Sequence, residues 1–302
     1  MKILIIGGSG FVSGETARVA LAAGHAVWTL TRGQRPLPAG AIPLTADRHD
    51  AAAMERAVAS AGTSWDLVAV CIGDGAADAQ LDIALFRQRA GHLVFVSSDF
   101  VYDPAFRQVP QNEDNTHYVG EGNSRWGKVQ YERQLRQADT GSMRWTIVRP
   151  CHIYGPGSEL GCLPTHGRDP QLLQRLRSGE SLKLVGGGLF LQQPIFVTDL
   201  ARTMLSCAGN AAAHRQFFNL AGPAEVESRT YYEIIAEALN VPLRVEAVPV
   251  EPFLAANPAA ASFLCHRVYS LKKLADLGAS VPATPLATGL QQQVRWLVSQ
   301  GR

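Results

Sequence analysis

The chain has 302 residues, 46% of them apolar and 18% charged, with a formal net charge of +2. That composition excludes a fibre, a stapled peptide scaffold and a disordered chain, and it suffices for one α/β body with a smaller appended lobe. The near-neutral balance gives no general reason to expect nucleic acid or an anionic membrane as a partner. Short apolar runs at 2–6, 26–30, 42–44, 66–71, 92–96 and 144–148 alternate with helix-period stretches at 11–23, 51–59, 78–90 and 124–138. This is the pattern of a parallel sheet covered on both faces. From about residue 161 the regularity loosens, because Pro164, Pro170, the glycines 186–188 and Pro194 break the chain into short pieces. Residues 194–208 and 216–221 again read as a helix and a strand of the main sheet. The expected organisation is a nucleotide-binding body over 1–160, rejoined by about 190–222, and a second lobe from 161–189 and 223–302.

Five cysteines, odd in number and scattered, form no C-x-x-C pair and no cluster with histidine at ligand spacing, so reduced thiols and no metal site are expected. The first strand runs straight into glycines, and there is neither a signal-peptide core nor an apolar run near 18 residues. The cytoplasm is the expected address, with no membrane association.

The glycines that follow the first strand carry the first functional signal. Gly7 permits a tight turn and Gly10 lets a pyrophosphate approach the backbone. Phe11 and Val12 open a helix whose first amides and positive dipole end face that phosphate. The second strand ends in Leu30, Thr31 and Arg32, where a site for NAD would carry an acidic residue against the ribose 2′-hydroxyl. Arg32, with Arg35 close behind, can instead pair bidentately with a 2′-phosphate, which points to NADP, with NAD as the alternative. Asp47, just past the third strand, is placed to touch the adenine.

These stretches, together with Ser97 to Tyr102, Gly127 and Lys128 followed by Glu132, Arg149 to Pro156, and Val197 to Leu200, resemble the extended and atypical short-chain dehydrogenase/reductases. That family includes sugar-nucleotide epimerases, dehydratases and reductases. The matches occur in family order over nearly the whole chain. The resemblance implies a Rossmann doubly wound sheet with a smaller C-terminal substrate-binding lobe and a cleft between them. It implies that Ser98 hydrogen-bonds the reacting oxygen and that Lys128 binds the nicotinamide ribose and lowers its partner's pKa. It also implies that Cys151 and His152 lie against the nicotinamide and substrate, His152 where many members carry a substrate-contacting asparagine. Tyr102 is a further candidate, although its family counterpart usually packs.

The sequence departs from the family at the catalytic tyrosine of Tyr-x-x-x-Lys. That spacing sets the phenol one helical turn from the ammonium, and here the position is Ser124. A serine hydroxyl is a poor acid or base at neutral pH, so His152 becomes a candidate for proton transfer or for hydrogen bonding to substrate. Ser124 is left with at most a hydrogen bond or a water site. Tyr131, three residues beyond Lys128, is expected to pack. The segment where sugar-nucleotide enzymes carry a diphosphate-gripping arginine reads Gln192, Gln193, Pro194 and Ile195. The third loop glycine falls on Ser13, with Gly14 one place late, a variant that occurs near the chloroplast stem-loop RNA-binding proteins.

Gly122 to Lys128 fits G-x-x-x-x-G-K, but Val129 replaces the magnesium-binding hydroxyl and no strand precedes it. No G-x-S-x-G elbow is present. The expected function is therefore an NADP-dependent oxidoreductase, epimerase or dehydratase acting on a polar hydroxylated small molecule, as a monomer or homodimer. The alternatives are a non-catalytic cofactor sensor and a partner- or RNA-binding protein, the latter opposed by the charge balance.

Overall fold

A computed structural model describes residues 1–62 and 64–302. The apolar runs form β1 (Lys2–Ile6), β2 (Ala26–Thr31), β3 (Ile42–Thr45), β4 (Trp65–Val70), β5 (Ala90–Val96) and β6 (Arg144–Pro150). Together with the strand Gln216–Leu220 they make one seven-stranded sheet. Reading from one edge, the order is Gln216–Leu220, β6, β5, β4, β1, β2, β3, with every pairing parallel. β1 pairs with β2 on one side and β4 on the other, so the winding reverses between β1 and β4. Ligands of such sheets bind at that switch point, outside the carboxyl ends of the strands.

Alternation along the strands divides the core. Ile3 and Ile5 of β1, with Val27, Leu67 and Val94, pack on one face against helix α1 (Phe11–Ala22) and the helix Val197–Ser206. Leu4 and Ile6, with Val68 and Phe95, pack on the other against α2 (Ala51–Ser60), α3 (Gly75–Phe86) and α4 (Trp126–Gln137). Burial on both faces is why these strands are continuously apolar. A third core unites Leu172, Leu176, Tyr231, Ile235, Leu290 and Leu297. It holds the smaller lobe, in which Leu182–Val185 pairs with Val245–Val248 and the helices Ser228–Ala238 and Leu286–Ser299 pack together.

Two boundaries differ from the sequence pattern for identifiable reasons. α3 begins at Gly75, earlier than the periodicity indicated, and Arg89 lies outside it because β5 starts at Ala90, paired with Trp65. α4 begins at Trp126 because Asn123 holds a turn, its side chain accepting from Arg125 N at 2.9 Å and its carbonyl from Trp126 N at 2.9 Å. Ser124 therefore lies on this turn and not on the helix that carries Lys128.

One buried ion pair ties the site-bearing elements together. Arg149 of β6, 0% exposed, donates from Nε to Glu132 Oε1 at 3.0 Å and from Nη2 to Oε2 at 2.5 Å. The same carboxylate accepts Ser97 Oγ at 2.5 Å. The guanidinium also donates to the Tyr102 hydroxyl at 2.8 Å and the Tyr118 hydroxyl at 3.2 Å. Glu132 is thus the common acceptor of α4, β6 and the end of β5. Removing it strands a fully buried cation, so Glu132→Ala should lose about 3–5 kcal/mol of stability. Urea unfolding of the two proteins measures the difference, and a loss under about 1 kcal/mol would show that Arg149 finds other compensation.

Candidate active site

β1 leads into the phosphate loop with Gly7 and Gly8 at φ +112 and +124. A Cβ on Gly8 would lie 2.5 Å from Thr29 Cβ, so only glycine fits where the loop crosses β2. Gly10 caps α1 and its amide donates to Ser13 Oγ at 3.1 Å. Ser13 is accommodated in the third-glycine position because Gly7 lacks the side chain that would meet it at 3.0 Å. The first-turn amides of Phe11 and Val12 have no acceptor within the helix.

A cleft of about 510 Å³ opens over this loop, lined by Gly7, Gly10, Arg32, Arg35, Asp47 and Asp74 among others. Arg32 and Arg35 are exposed at the end of β2, and the Thr31 hydroxyl is turned back onto Gly33 N at 3.1 Å. Asp47 is exposed, its Oδ1 accepting from His49 N at 2.9 Å. A cradle that side chains would fill, a helix N-terminus and an exposed guanidinium beyond it suit a phosphorylated dinucleotide.

Sequence reasoning missed the cleft's floor. Arg48 is buried, donating to Asp78 at 2.9 Å and Asp82 at 2.7 Å, and the Tyr131 hydroxyl donates to Asp82 at 2.5 Å. The signal was present: Asp78 and Asp82 are one turn apart on α3, a repulsive pairing unless a cation lies between them. Tyr131 packs as expected, stacked on Phe95 with centroids 3.6 Å apart.

At the end of β5, Lys128 Nζ donates to the Val96 carbonyl at 3.0 Å and lies 4.8 Å from the Phe95 ring centroid. Burial pushes this ammonium down to about 8, with Asp74 and Cys71 pulling the other way. Ser98 follows, half-buried, its Oγ accepting Phe100 N at 3.2 Å. Burial pushes the nearby Cys71 thiol up to about 12, which leaves it unreactive.

A second cavity of about 290 Å³ adjoins Ser98 and is lined also by Cys151, His152, Arg125, Arg168 and Arg267. His152 Nε2 is buried without a partner among the described residues, and the ring lies edge-on to Tyr231 at 5.8 Å. Burial, with Arg267 and Arg168, pushes His152 down to about 3, so the imidazole is neutral at pH 7. It can donate or accept a hydrogen bond, but it is a weak base. The Cys151 thiol donates to the Gln193 carbonyl at 2.8 Å, and burial raises its pKa, so only its backbone and Cβ are available to a ligand.

Two sequence candidates do not meet in this cavity. Tyr102 is 0% exposed, and its hydroxyl donates to Asn219 Oδ1 at 2.9 Å while accepting from Arg149. Burial pushes it up to about 12, so it packs and orients Arg149 instead of moving a proton. Ser124 is exposed on its turn, without the one-turn helical relation to Lys128 that the spacing suggested. Gln193 is equally committed: Oε1 accepts Tyr269 N at 2.7 Å and Nε2 donates to Gly222 O at 2.9 Å. Sequence reasoning also missed Asp99, which is buried against Arg267 and Tyr269; these partners are too distant in the chain to leave a local pattern.

Among the described residues no helix is long and apolar enough to cross a membrane. The model of the NAD dependent epimerase/dehydratase family matches residues 76–221. A chloroplast stem-loop binding protein of 41 kDa from Arabidopsis thaliana is 26% identical over 245 residues, covering 73% of this chain but only 58% of that protein. A dTDP-4-dehydro-6-deoxy-D-allose reductase from a Streptomyces species is 24% identical over 327 aligned positions, covering 97% and 95% of the two chains. Among solved structures, a UDP-glucose 4-epimerase from Thermotoga maritima with UDP-glucose superposes with TM-score 0.77 at 17% identity over 100% of both chains. A Thermus thermophilus UDP-glucose 4-epimerase in complex with NAD gives 0.74 at 19% identity over 99% of each. The family match over residues 76–221 and the superpositions agree on one point: the chain is similar to the NAD dependent epimerase/dehydratase family over that stretch and shares the fold of the solved epimerases.

Proposed function

We propose that this chain is an NADP-dependent oxidoreductase, epimerase or dehydratase acting on a polar hydroxylated small molecule, at a site that works without the usual tyrosine. The observation that carries the reading is that the glycine cradle, exposed Arg32, Lys128 and Ser98 all lie along the carboxyl edge of one parallel sheet. The cofactor, when bound, supplies or accepts a hydride. Phe11 and Val12 amides face its pyrophosphate, Gly7 and Gly10 let it approach, and Arg32 pairs with its 2′-phosphate. Asp47 accepts from the adenine amino group. Lys128 holds the nicotinamide ribose, Cys151 backs the ring through its backbone, and Ser98 donates to the reacting oxygen. His152 hydrogen-bonds substrate as a neutral imidazole, and Ser124 contributes at most a water site. Five unpaired thiols suit a reducing, cytoplasmic setting.

One observation favours a second reading, a cofactor-binding protein without turnover. Among the described residues lining the inner cavity, none is a free acid or base in the neutral range: His152 is neutral and Asp99 is paired. A substrate screen with stoichiometric NADPH, followed by absorbance and product mass, separates the two; no turnover across polyols, keto sugars and sugar nucleotides would support the sensor.

Calorimetric titration should give NADPH at least about tenfold tighter than NADH, with Arg32→Ala removing the difference, as expected for a charge-assisted bidentate contact. An unchanged preference in the variant would assign the 2′-phosphate elsewhere.

Lys128 is charged below about 8, and contact with the cofactor favours the charged form. Affinity for NADPH should therefore be highest near pH 7 and fall as pH rises above 8, while Lys128→Met should bind more weakly at pH 7 and lose that fall. A flat wild-type profile from pH 7 to 9 would remove the lysine from the contact.

Nitrogen-edited NMR of the imidazoles should show no titration of His152 between pH 5 and 8. A midpoint near 6 would restore it as a proton carrier.

A further inference from the structure

The inner cavity is more cationic than a site for a neutral sugar requires. Arg125, Arg168 and Arg267 line it, and Asp99 is the one acidic side chain among its described lining residues. Asp99 is already engaged: Oδ2 accepts from Arg267 Nε at 3.2 Å and Nη2 at 3.0 Å and from the Tyr269 hydroxyl. Arg107 Nη1 stands 3.9 Å from the same oxygen, with both side chains at most 4% exposed. Two buried guanidinium groups thus share one carboxylate. An uncompensated buried cation is costly to a fold, and such costs persist where a ligand brings the counter-charge. Among the described residues, Arg267 Nη1 has no protein acceptor.

The other two arginines are exposed and make no ion pair among the described residues. Arg125 lies 5.9 Å and Arg267 4.5 Å from the ring of Phe100, so one aromatic ring carries both. Arg168 is held at φ +54, a left-handed conformation rare outside glycine. Its loop is tight: a Cβ on Gly161 would strike the His166 carbonyl at 1.8 Å. The strained backbone sets the Arg168 guanidinium 5.9 Å from the ring of Phe11, where the phosphate loop meets the inner cavity. Backbone strain of this kind persists where function holds it. At about 290 Å³ the cavity is at the small end for ligand sites. The Gln193 amide, spent on Tyr269 and Gly222, adds no cation for a diphosphate further out.

We propose that the substrate is a monosaccharide-sized hydroxy compound bearing its own acid group, a carboxylate or a phosphate monoester, which Arg168, Arg267 and Arg125 hold while the reacting carbon lies at Ser98. The placement of the reacting carbon rests on the function proposed above; the anion subsite stands without it.

The test is calorimetry at constant ionic strength on protein saturated with NADP⁺, using D-glucose, D-gluconate, D-glucose 6-phosphate and inorganic phosphate as probes. Either anionic sugar should bind at least about tenfold tighter than glucose, and Arg168→Gln, with its circular dichroism unchanged, should weaken that binding about tenfold. Preference for gluconate assigns a carboxylate. Preference for glucose 6-phosphate, with inorganic phosphate competing, assigns a phosphate. The proposal fails if glucose binds as tightly as both anions, if neither anion binds at millimolar concentration, or if Arg168→Gln and Arg125→Gln both leave anion binding intact. Should NADP⁺ itself not bind, the cofactor reading fails alone, and the same titrations on the cofactor-free Arg32→Ala protein still decide the anion site.

Discussion

The pairing of Arg149 with Glu132 is the constraint on which the rest of the site depends. A guanidinium with no solvent exposure, set among the rings of Tyr102, Tyr118 and Phe217, needs a carboxylate with fixed geometry. Glu132 supplies it from α4, the helix that also carries Lys128. The same carboxylate accepts the Ser97 hydroxyl, and Ser97 directly precedes Ser98. One acceptor therefore ties the helix that carries Lys128 to the strand end that precedes Ser98. Tyr102, whose phenol suggested chemistry, belongs to this support, since it donates to Asn219 on the edge strand and accepts from Arg149.

A site held this rigidly makes different use of charge in its two halves. In the outer cleft the buried cation Arg48 is fully consumed by Asp78 and Asp82, which leaves Arg32 and Arg35 at the end of β2 as lining guanidinium groups without an ion pair among the described residues. In the inner cavity the balance is reversed, with one engaged carboxylate among several guanidinium groups. Such a field lowers the pKa of any base placed in it, and at His152 it adds to the larger effect of burial. Under the proposed function, the same field would stabilise negative charge that develops on a substrate oxygen.

What could be read from the sequence was what depends on neighbours along the chain. The strands, the glycine loop and the Thr31–Arg32 end of β2 are local patterns, and the structure places them within a few residues of expectation. Lys128 was legible because lysine is rare in this chain and follows Gly127 in a recognisable stretch. Ser124 was misread because spacing was taken as helical where Asn123 imposes a turn, a competition between local side-chain hydrogen bonding and helix propagation. Tyr102 was overvalued because burial and the identity of a hydroxyl's partners are tertiary facts. The inner cavity was largely invisible for the same reason: Asp99 meets Arg267 across 168 positions of sequence.

The absent tyrosine and the late start of α4 are one feature. A phenol works beside the lysine only if both stand on the same helical face, one turn apart. Here the helix begins at Trp126, so position 124 lies before its first turn and faces solvent. A tyrosine at 124 on this backbone would lack that helical relation to Lys128. Gly127 fits the same arrangement, because a side chain there would collide with Asp74, with a Cβ to Oδ1 distance of 2.2 Å. The loop after β4 and the first turn of α4 thus meet closely at Asp74, which lines the outer cleft. Under the proposed function, a proton moved there would be carried by substrate, water or Lys128, whose ammonium burial pushes down to about 8.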